Sequence, residues 1–315
     1  MIGGAGLGAA LPLGCASEAT VRNSLFIPTP DRPLTPADDF YVNHCCGTPN
    51  VAESAWRLSV DGLVGRRLHL ARGDLDAFAP VSRELTMECI GNSPDGGLLS
   101  SAAFEGVLLG DVLGAAGLED DARGLYFTGA DGYVSFLPVA VAEDAILVTS
   151  LGGEPLTREH GAPVRAIFPG RYGMKCVKWI QKVTATREWH THGVWGGISY
   201  AIEGMIPLRS RIDSPRDGSR VTTGTEIEVR GLALAAGVGV DRVEVRADGG
   251  WEPATVTYEG SADLWTLWSF RWTPPDRGRH VLSVRAWDAN GRTQRTEPEF
   301  LYDSGAVHSV RVLSV

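Results

Sequence analysis

The run VDRVEVRADGGWEPATVTY, Val240–Tyr258, sets apolar against charged side chains in alternation. Val243 and Val245 fall on one side, Glu244 and Arg246 on the other. A period of two predicts a strand with one buried face, and Asp248-Gly249-Gly250 predicts the turn that ends it. The same pattern returns in GRHVLSVRAWDANGRTQ (278–294), where Leu282, Val284 and Ala286 alternate with Ser283 and Arg285 before an Asn-Gly turn. TEIEVRGLAL (225–234) and the tryptophan-rich LWTLWSFRWTPP (264–275) add two more strand runs, the second closed by Pro-Pro. Short strands at even spacing describe an all-β, immunoglobulin-like sandwich of about 100 residues. We place it at 208–315.

Upstream the texture differs. AWRLSVDGLVG (55–65) carries Trp56, Leu58 and Val60 on one face and turns at Asp61-Gly62, and RRLHLARGDLDAF (66–78) reads as a strand entering a helical turn near Asp74. Leu109, Val112, Leu113 and Ala116 recur at helical spacing, and Gly117 stops the run. GLYFTGADGYVSFLP and AILVTSLGG return to strand. Strands and short helices intermix without a regular βαβ beat, which predicts an α+β domain over 25–207. SRIDSPRDGS (210–219) reads as the linker between the two domains.

Across the 315 residues, 38 acidic side chains outnumber 29 basic ones, for a formal net charge of -9. That balance argues against a nucleic-acid partner or a general affinity for anionic membranes. A hydrophobic content of 43% suits a soluble globular protein, and no apolar run reaches the roughly 18–20 residues of a membrane span. The opening MIGGAGLGAALPLGCASEA is small and apolar, so 1–24 reads as a truncated export signal, implying a periplasmic or otherwise exported protein. LPLGC makes Cys15 a candidate lipid-bearing residue; a disordered chain end is the plainer alternative. Five cysteines are an odd number without a CxxC pair, which argues against a zinc or iron–sulfur site built from cysteines. Cys45 and Cys46 read as packed or free thiols.

Three stretches could carry chemistry. TMECIGNSPDGG (86–97) ends a strand on Cys89 and opens into a glycine-rich loop, a place to bind something through sulfur or simply a turn. Between Arg158 and Arg187 stand seven basic residues, Arg158, Arg165, Arg171, Lys175, Lys178, Lys182 and Arg187, against the single acid Glu159. Cations around Pro and Gly turns can hold a phosphate; the alternative is a solvated basic face. Neither Walker nor dinucleotide glycine spacing occurs in the run, and no serine sits in a nucleophile elbow. DDFYVNHCC (38–46) and GADGYVSFLP (129–138) add Asn43, His44, Asp131 and Tyr133. A thiol hydrolase using Cys89 with His44 as base is the bland reading.

In order, FYVNH, MECIGN, GADGYVSFLP and GGEPLTREHGAPVRAIFPGRYGMKCVKWI resemble the sulfite oxidase superfamily of molybdopterin-dependent oxidoreductases, over about residues 30–315. SRIDSP and the tryptophan-rich strands resemble that family's dimerisation domain, which implies a homodimer. The resemblance implies a Mo-molybdopterin cofactor, one molybdenum per chain, with Cys89 as its protein ligand. It further implies that Tyr41, Asn43, His44, Asp131, His160, Arg165, Cys176, Val177 and Lys178 bind the cofactor and that Tyr133 is a catalytic tyrosine. The basic run would face the pterin and its phosphate. The implied reaction is two-electron oxygen-atom transfer on a small-molecule substrate. The alternatives are S-oxide or N-oxide reduction, or a non-catalytic scaffold. With no haem expected in this chain, a separate cytochrome or quinone-linked membrane protein would carry the electrons. Animal and plant sulfite oxidases carry a substrate-binding arginine where Val42 stands, and basic residues where Ser93 and Pro94 stand, so the sulfite pocket reads as altered. The loop looks closer to bacterial members of the family.

Overall fold

The computed structural model describes residues 20–44, 47–188, 203–298 and 304–315. Cys15, Cys45, Cys46 and most of the expected export signal lie outside them. Among the described residues no helix is long and apolar enough to cross a membrane.

Two large hydrophobic cores organise the described residues, with two smaller clusters, about Tyr172 and Trp265, joining them. The first core gathers buried side chains from Phe40 to Ala185, the second from Ile212 to Val312. Around the first lie two five-stranded sheets. One orders Leu68–Ala71, Arg57–Gly62, Ile180–Thr186, Gly124–Gly129 and Val134–Pro138, with a parallel pairing only between Arg57–Gly62 and Ile180–Thr186. The other runs Glu154–Pro155, Ile146–Leu151, Leu99–Leu108, Pro80–Glu88, with Arg165–Ile167 also pairing to Ile146–Leu151. Trp56, Leu58 and Val60 are fully buried, as their alternation predicts. The expected turn after Ala71 is a 3-10 helix, Arg72–Ala77.

Short helices fill the edges. Leu109–Ala116 turns Leu109, Val112, Leu113 and Ala116 inward and stops at Gly117, whose φ of 67° is left-handed. Glycine takes that conformation without the steric penalty of a Cβ, and its N–H satisfies the helix-end carbonyls of Leu113 and Gly114.

The C-terminal sandwich packs a four-stranded sheet against a five-stranded one. Val243, Val245, Leu282, Val284 and Ala286 point into its core with Trp268 and Trp272. Glu244, Arg246 and Arg285 face outward, where Arg285 pairs with Glu244 at 2.7 Å. The alternation that opened the sequence reading is thus two faces of one strand.

The linker reading of 210–219 is corrected. Arg209–Ser214 is the first strand of the sandwich, antiparallel to Ile227–Leu234. Its charges made it look solvated, but Arg209 is buried completely and Arg211 nearly so, because each finds a partner. The Pro and Gly punctuation acts only beyond Ser214.

This strand and the loop before Trp265 pack behind the Pro80–Glu88 strand. Trp265 donates its backbone N–H to Thr86 Oγ1 (3.0 Å) and its indole N–H to the Pro33 carbonyl (2.8 Å). The Thr86 N–H donates to the Asp263 carbonyl at 2.8 Å. Successive strand residues face opposite ways. Thr86 and Glu88 therefore turn toward the sandwich, while Met87 and Cys89 turn toward the cleft described next.

Candidate cofactor site

A cleft lined by Cys89 opens where the Pro80–Glu88 strand ends. Cys89 is held there by its loop: its N–H donates to the Leu98 carbonyl (3.0 Å), and its carbonyl accepts from the Asn92 N–H (2.9 Å). Asn43, on the short strand Val42–His44, donates its side-chain amide to Cys89 Sγ at 3.0 Å. Burial pushes the thiol above its ordinary pKa, while the Gly91 N–H, the Asn43 amide and the charge of Lys178 pull the other way. Those three favour a thiolate once a cation supplies the remaining stabilisation.

Two cations reach the cleft. Arg165, on the Arg165–Ile167 strand, is 3% exposed and donates to the His160 carbonyl at 3.1 Å, while its Nε has no partner. Lys178 donates to the Glu159 carbonyl at 2.8 Å and lies 5.7 Å from the Trp179 ring centroid. Among the described residues neither side chain forms an ion pair, and burial drives both pKa values down. Gly161 lets the chain pass between them: its φ is 103°, and a Cβ there would stand 3.1 Å from Lys178 Cβ and 3.2 Å from Arg165 Cβ.

The histidines are neutral. Burial, then the charges of Arg165 and Lys178, lower His160 to about 3; burial and Lys178 lower His44 to about 4. Each has an unpartnered, buried Nδ1. His160 packs edge-on against Phe40, and His44 edge-on against Trp179.

Most of the residues expected from sequence meet here. Tyr41, Asn43, His44, Cys89, Asp131, Tyr133, Arg165, Cys176 and Lys178 line the cleft. Tyr133 donates its hydroxyl to the Met174 carbonyl at 2.5 Å, and its N–H donates to Asp131 Oδ1 at 3.1 Å. Burial raises the Asp131 carboxyl and the Cys176 thiol. His160 stands just behind the lining, next to Arg165. Val177 does not line the cleft: its side chain is fully buried and its carbonyl accepts from the Ala166 N–H.

The expectation that the whole basic run faces the cofactor is corrected. Lys182 pairs with Asp61, and Arg187 with Asp121, both on the outside. Arg158 donates to the carbonyls of Thr48 and Pro49, and Lys175 to that of Phe136. The Ile180–Thr186 strand explains Lys182: Ile180, Val183 and Ala185 turn inward, so its charge turns out, and Arg187 follows just past the strand's end. Val42, where an arginine was expected in relatives, is fully buried.

The apolar wall was missed from sequence. Met87, Ile90, Met174 and Trp179 border the cleft. Met87 was legible in principle, since it shares a strand face with Cys89; the others arrive through turns that no periodicity marks. The buried ion pair between Glu88 and Arg209 was missed as well.

A family profile for an oxidoreductase molybdopterin binding domain matches residues 45–195, and one for a bacterial Ig domain matches 210–284. Sulfite oxidase of Gallus gallus is 30% identical over 84% of this chain and 68% of its own length. The mitochondrial sulfite oxidase of Homo sapiens is 30% identical over 80% of this chain, which spans 55% of that protein. The solved sulfane dehydrogenase SoxCD of Paracoccus pantotrophus superposes with a TM-score of 0.77 over 98% of this chain and 92% of that one, at 22% identity, a likeness of fold.

Proposed function

The chain belongs to the sulfite oxidase family of molybdopterin-dependent oxidoreductases, and from that premise we propose that it transfers an oxygen atom on a small sulfur-containing substrate. One observation carries the proposal: a single amide-held thiol opens onto a cleft whose two cations lack acidic partners among the described residues. A buried cation without a counter-ion is costly unless an anion arrives.

The residues present fit a pterin-chelated molybdenum. Among the described residues no group of three or more His, Cys, Asp or Glu side chains could hold a bare metal ion, so a metal here needs ligands from elsewhere, and a lone thiolate suits one already chelated by sulfur. Cys89 would ligate the metal, with Asn43 orienting its sulfur. Arg165, Lys178 and the unpartnered Nδ1 atoms of His44 and His160 would receive the polar and anionic parts of the pterin. Tyr41, Asp131, Cys176 and the backbone about Val177 complete the set we assign to cofactor binding.

When bound, the cofactor supplies a two-electron centre able to pass an oxygen atom to or from the substrate. In the oxidative direction a substrate and water give the oxygenated product, two protons and two electrons, which leave to a separate electron carrier. The Tyr133 hydroxyl, held by the Met174 carbonyl, would orient the substrate in the cleft. The wall of Met87, Ile90 and Met174 favours a less charged substrate than sulfite, or reduction of an S-oxide or N-oxide on the same scaffold.

We read 25–207 as an α+β catalytic domain and 208–315 as a sandwich that joins two copies into a homodimer. The apolar opening of the chain supports an exported, periplasmic protein. Protein purified from a molybdopterin-producing host is expected to hold about one molybdenum per chain, and Cys89→Ser to abolish turnover of sulfite, S-oxides and N-oxides with artificial electron carriers. Full turnover in metal-free protein would overturn the reading.

A further inference from the structure

The Pro80–Glu88 strand has two occupied faces. Cys89 turns to the cleft, and its neighbour Glu88 turns to the sandwich, where it is completely buried against Arg209. Arg209 does more than neutralise a carboxylate. Its second terminal nitrogen donates to the Pro94 carbonyl at 2.9 Å, inside the loop that follows the thiol. Two residues along the same strand, Arg211 donates to the Gly96 carbonyl at 2.8 Å and is fixed by Asp213 at 2.6 Å. Glu88 accepts from the Asn92 amide at 3.1 Å, and Asn92 Oδ1 accepts from the Leu98 N–H at 2.8 Å. The Glu88 carbonyl accepts from the Gly173 N–H at 2.7 Å, on the cleft wall.

Stability alone is a poor reason for such a pair. Two charges taken fully from water lose most of what their attraction returns, and an apolar pair of similar volume often does as well. Here Arg209 Nε and Glu88 Oε2 have no hydrogen-bond partner, which weakens the stability argument further. What an apolar pair could not supply is the directed hold on the Pro94 carbonyl and on Asn92, which fix the loop carrying the thiol.

We propose that Arg209, supplied by the sandwich, is a positioning residue for Cys89, so that the second domain is part of the metal site's architecture as well as a platform for assembly. The inference rests on the reading of Cys89 as the metal ligand. The thiol's direction is set from behind by a strand that never touches substrate. A misplacement of about 1 Å in a reacting group commonly costs about a hundredfold in rate, so a loosened loop should register in turnover before it registers in substrate binding.

The test compares the parent, Arg209→Lys and the paired variant Glu88→Gln/Arg209→Met, all as full chains. The pair removes both charges together, so it keeps its fold where Arg209→Met alone could leave an unpaired buried carboxylate. For the paired variant we expect a melting temperature and molybdenum content like the parent's, because Arg165 and Lys178 are untouched. We also expect kcat lowered about tenfold or more with KM changed less than about twofold, altered g-values in the Mo(V) resonance spectrum, and iodoacetamide labelling of Cys89 several-fold faster in cofactor-free protein. Arg209→Lys should recover part of each. A folded, loaded pair with parental kcat, spectrum and labelling rate would overturn the proposal. If Cys89→Ser keeps parental metal content and spectrum, the ligand reading itself fails. The labelling rate of the cofactor-free paired variant then still reports whether Arg209 orders the loop.

Discussion

Arg165 and Arg209 are both buried arginines, 3% and 0% exposed, one lining the cleft onto which Cys89 opens and the other holding the loop that follows Cys89, yet their surroundings are opposite. Arg209 meets a carboxylate, Glu88, and Arg211 beside it meets Asp213. Among the described residues Arg165 and its neighbour Lys178 form no ion pair: their hydrogen bonds go to carbonyl oxygens, and the Asp131 and Glu159 carboxylates reach Lys178 only through their field. A protein that merely needed to bury a guanidinium would treat the two alike. Charge left without an ion-pair partner in the cleft and balanced behind the loop marks the first place as a receptor for an anion and the second as framework.

That contrast can be broken by mutation. Each charge-assisted hydrogen bond to an anion is worth about 1.5–3 kcal/mol. Arg165→Met with Lys178→Met is therefore expected to lower cofactor occupancy by about a hundredfold or more, measured as molybdenum per chain. Cofactor-free Arg165→Met should stay within about 1 kcal/mol of the parent in denaturant unfolding, because the lost group had no counter-ion. Arg209→Met should do the reverse in the same assay. It strands Glu88 in the interior and should cost about 3–5 kcal/mol, while any molecules that fold still take up cofactor. Equal losses of stability for Arg165→Met and Arg209→Met would erase the distinction.

How much of this was legible follows from where each signal resides. Period-two alternation located Val243, Val245, Leu282 and Val284 because a sandwich strand has one wet face. The helix at Leu109 was legible because its apolar spacing and its terminal glycine agree. Cys89, Arg165 and Lys178 were legible through a motif. The burial of Arg209 was not, because Arg-Ser-Arg-Ile-Asp-Ser has the composition of a solvated connector, and only the fold shows that Glu88, far away in sequence, is waiting for it. The basic run misled for the converse reason: composition counts charges without knowing which strand face they occupy. Val177 sits between two cleft residues, but the backbone turns its side chain into the core.

Two buried histidines sharpen the comparison through pH. His160, beside the cleft, is lowered to about 3 by burial and by Arg165 and Lys178, while His308, in the sandwich, is lowered to about 4, chiefly by burial. His308 Nδ1 accepts from the Ile212 N–H at 3.0 Å, whereas His160 Nδ1 is unpartnered. Both are neutral when folded and take a proton near 6.5 when unfolded. The unfolded chain thus binds more protons below that value, so stability is complete above about 6.5 and falls as pH drops, toward 4 for His308 and toward 3 for His160. The slope is at most about 1.4 kcal/mol per pH unit for each histidine. Cofactor-free protein should show both contributions in acid unfolding, and His308→Gln should remove only its own. Cofactor-loaded protein should show a weaker dependence from His160, since an adjacent anion favours its protonation. A dependence unchanged by loading would separate His160 from the anion's field.

The smallest expected effect tests the contrast at its edge. Lys182 and Arg187 belong to the same basic run as Arg165 and Lys178, and by composition alone they are equal candidates to hold a phosphate. Lys182, on the Ile180–Thr186 strand, and Arg187, just past its end, face outward, to Asp61 at 3.1 Å and to Asp121, with side chains 46% and 64% exposed. Exposed pairs of this kind are worth about 0–1 kcal/mol, because water screens the charges and the long side chains lose entropy in pairing. Lys182→Ala and Arg187→Ala should therefore shift the unfolding midpoint barely beyond measurement and leave molybdenum content at the parent's level. If either depleted the metal as Lys178→Met does, the run would act as one electrostatic field, and burial would no longer distinguish the cations that hold the cofactor from those that only face water.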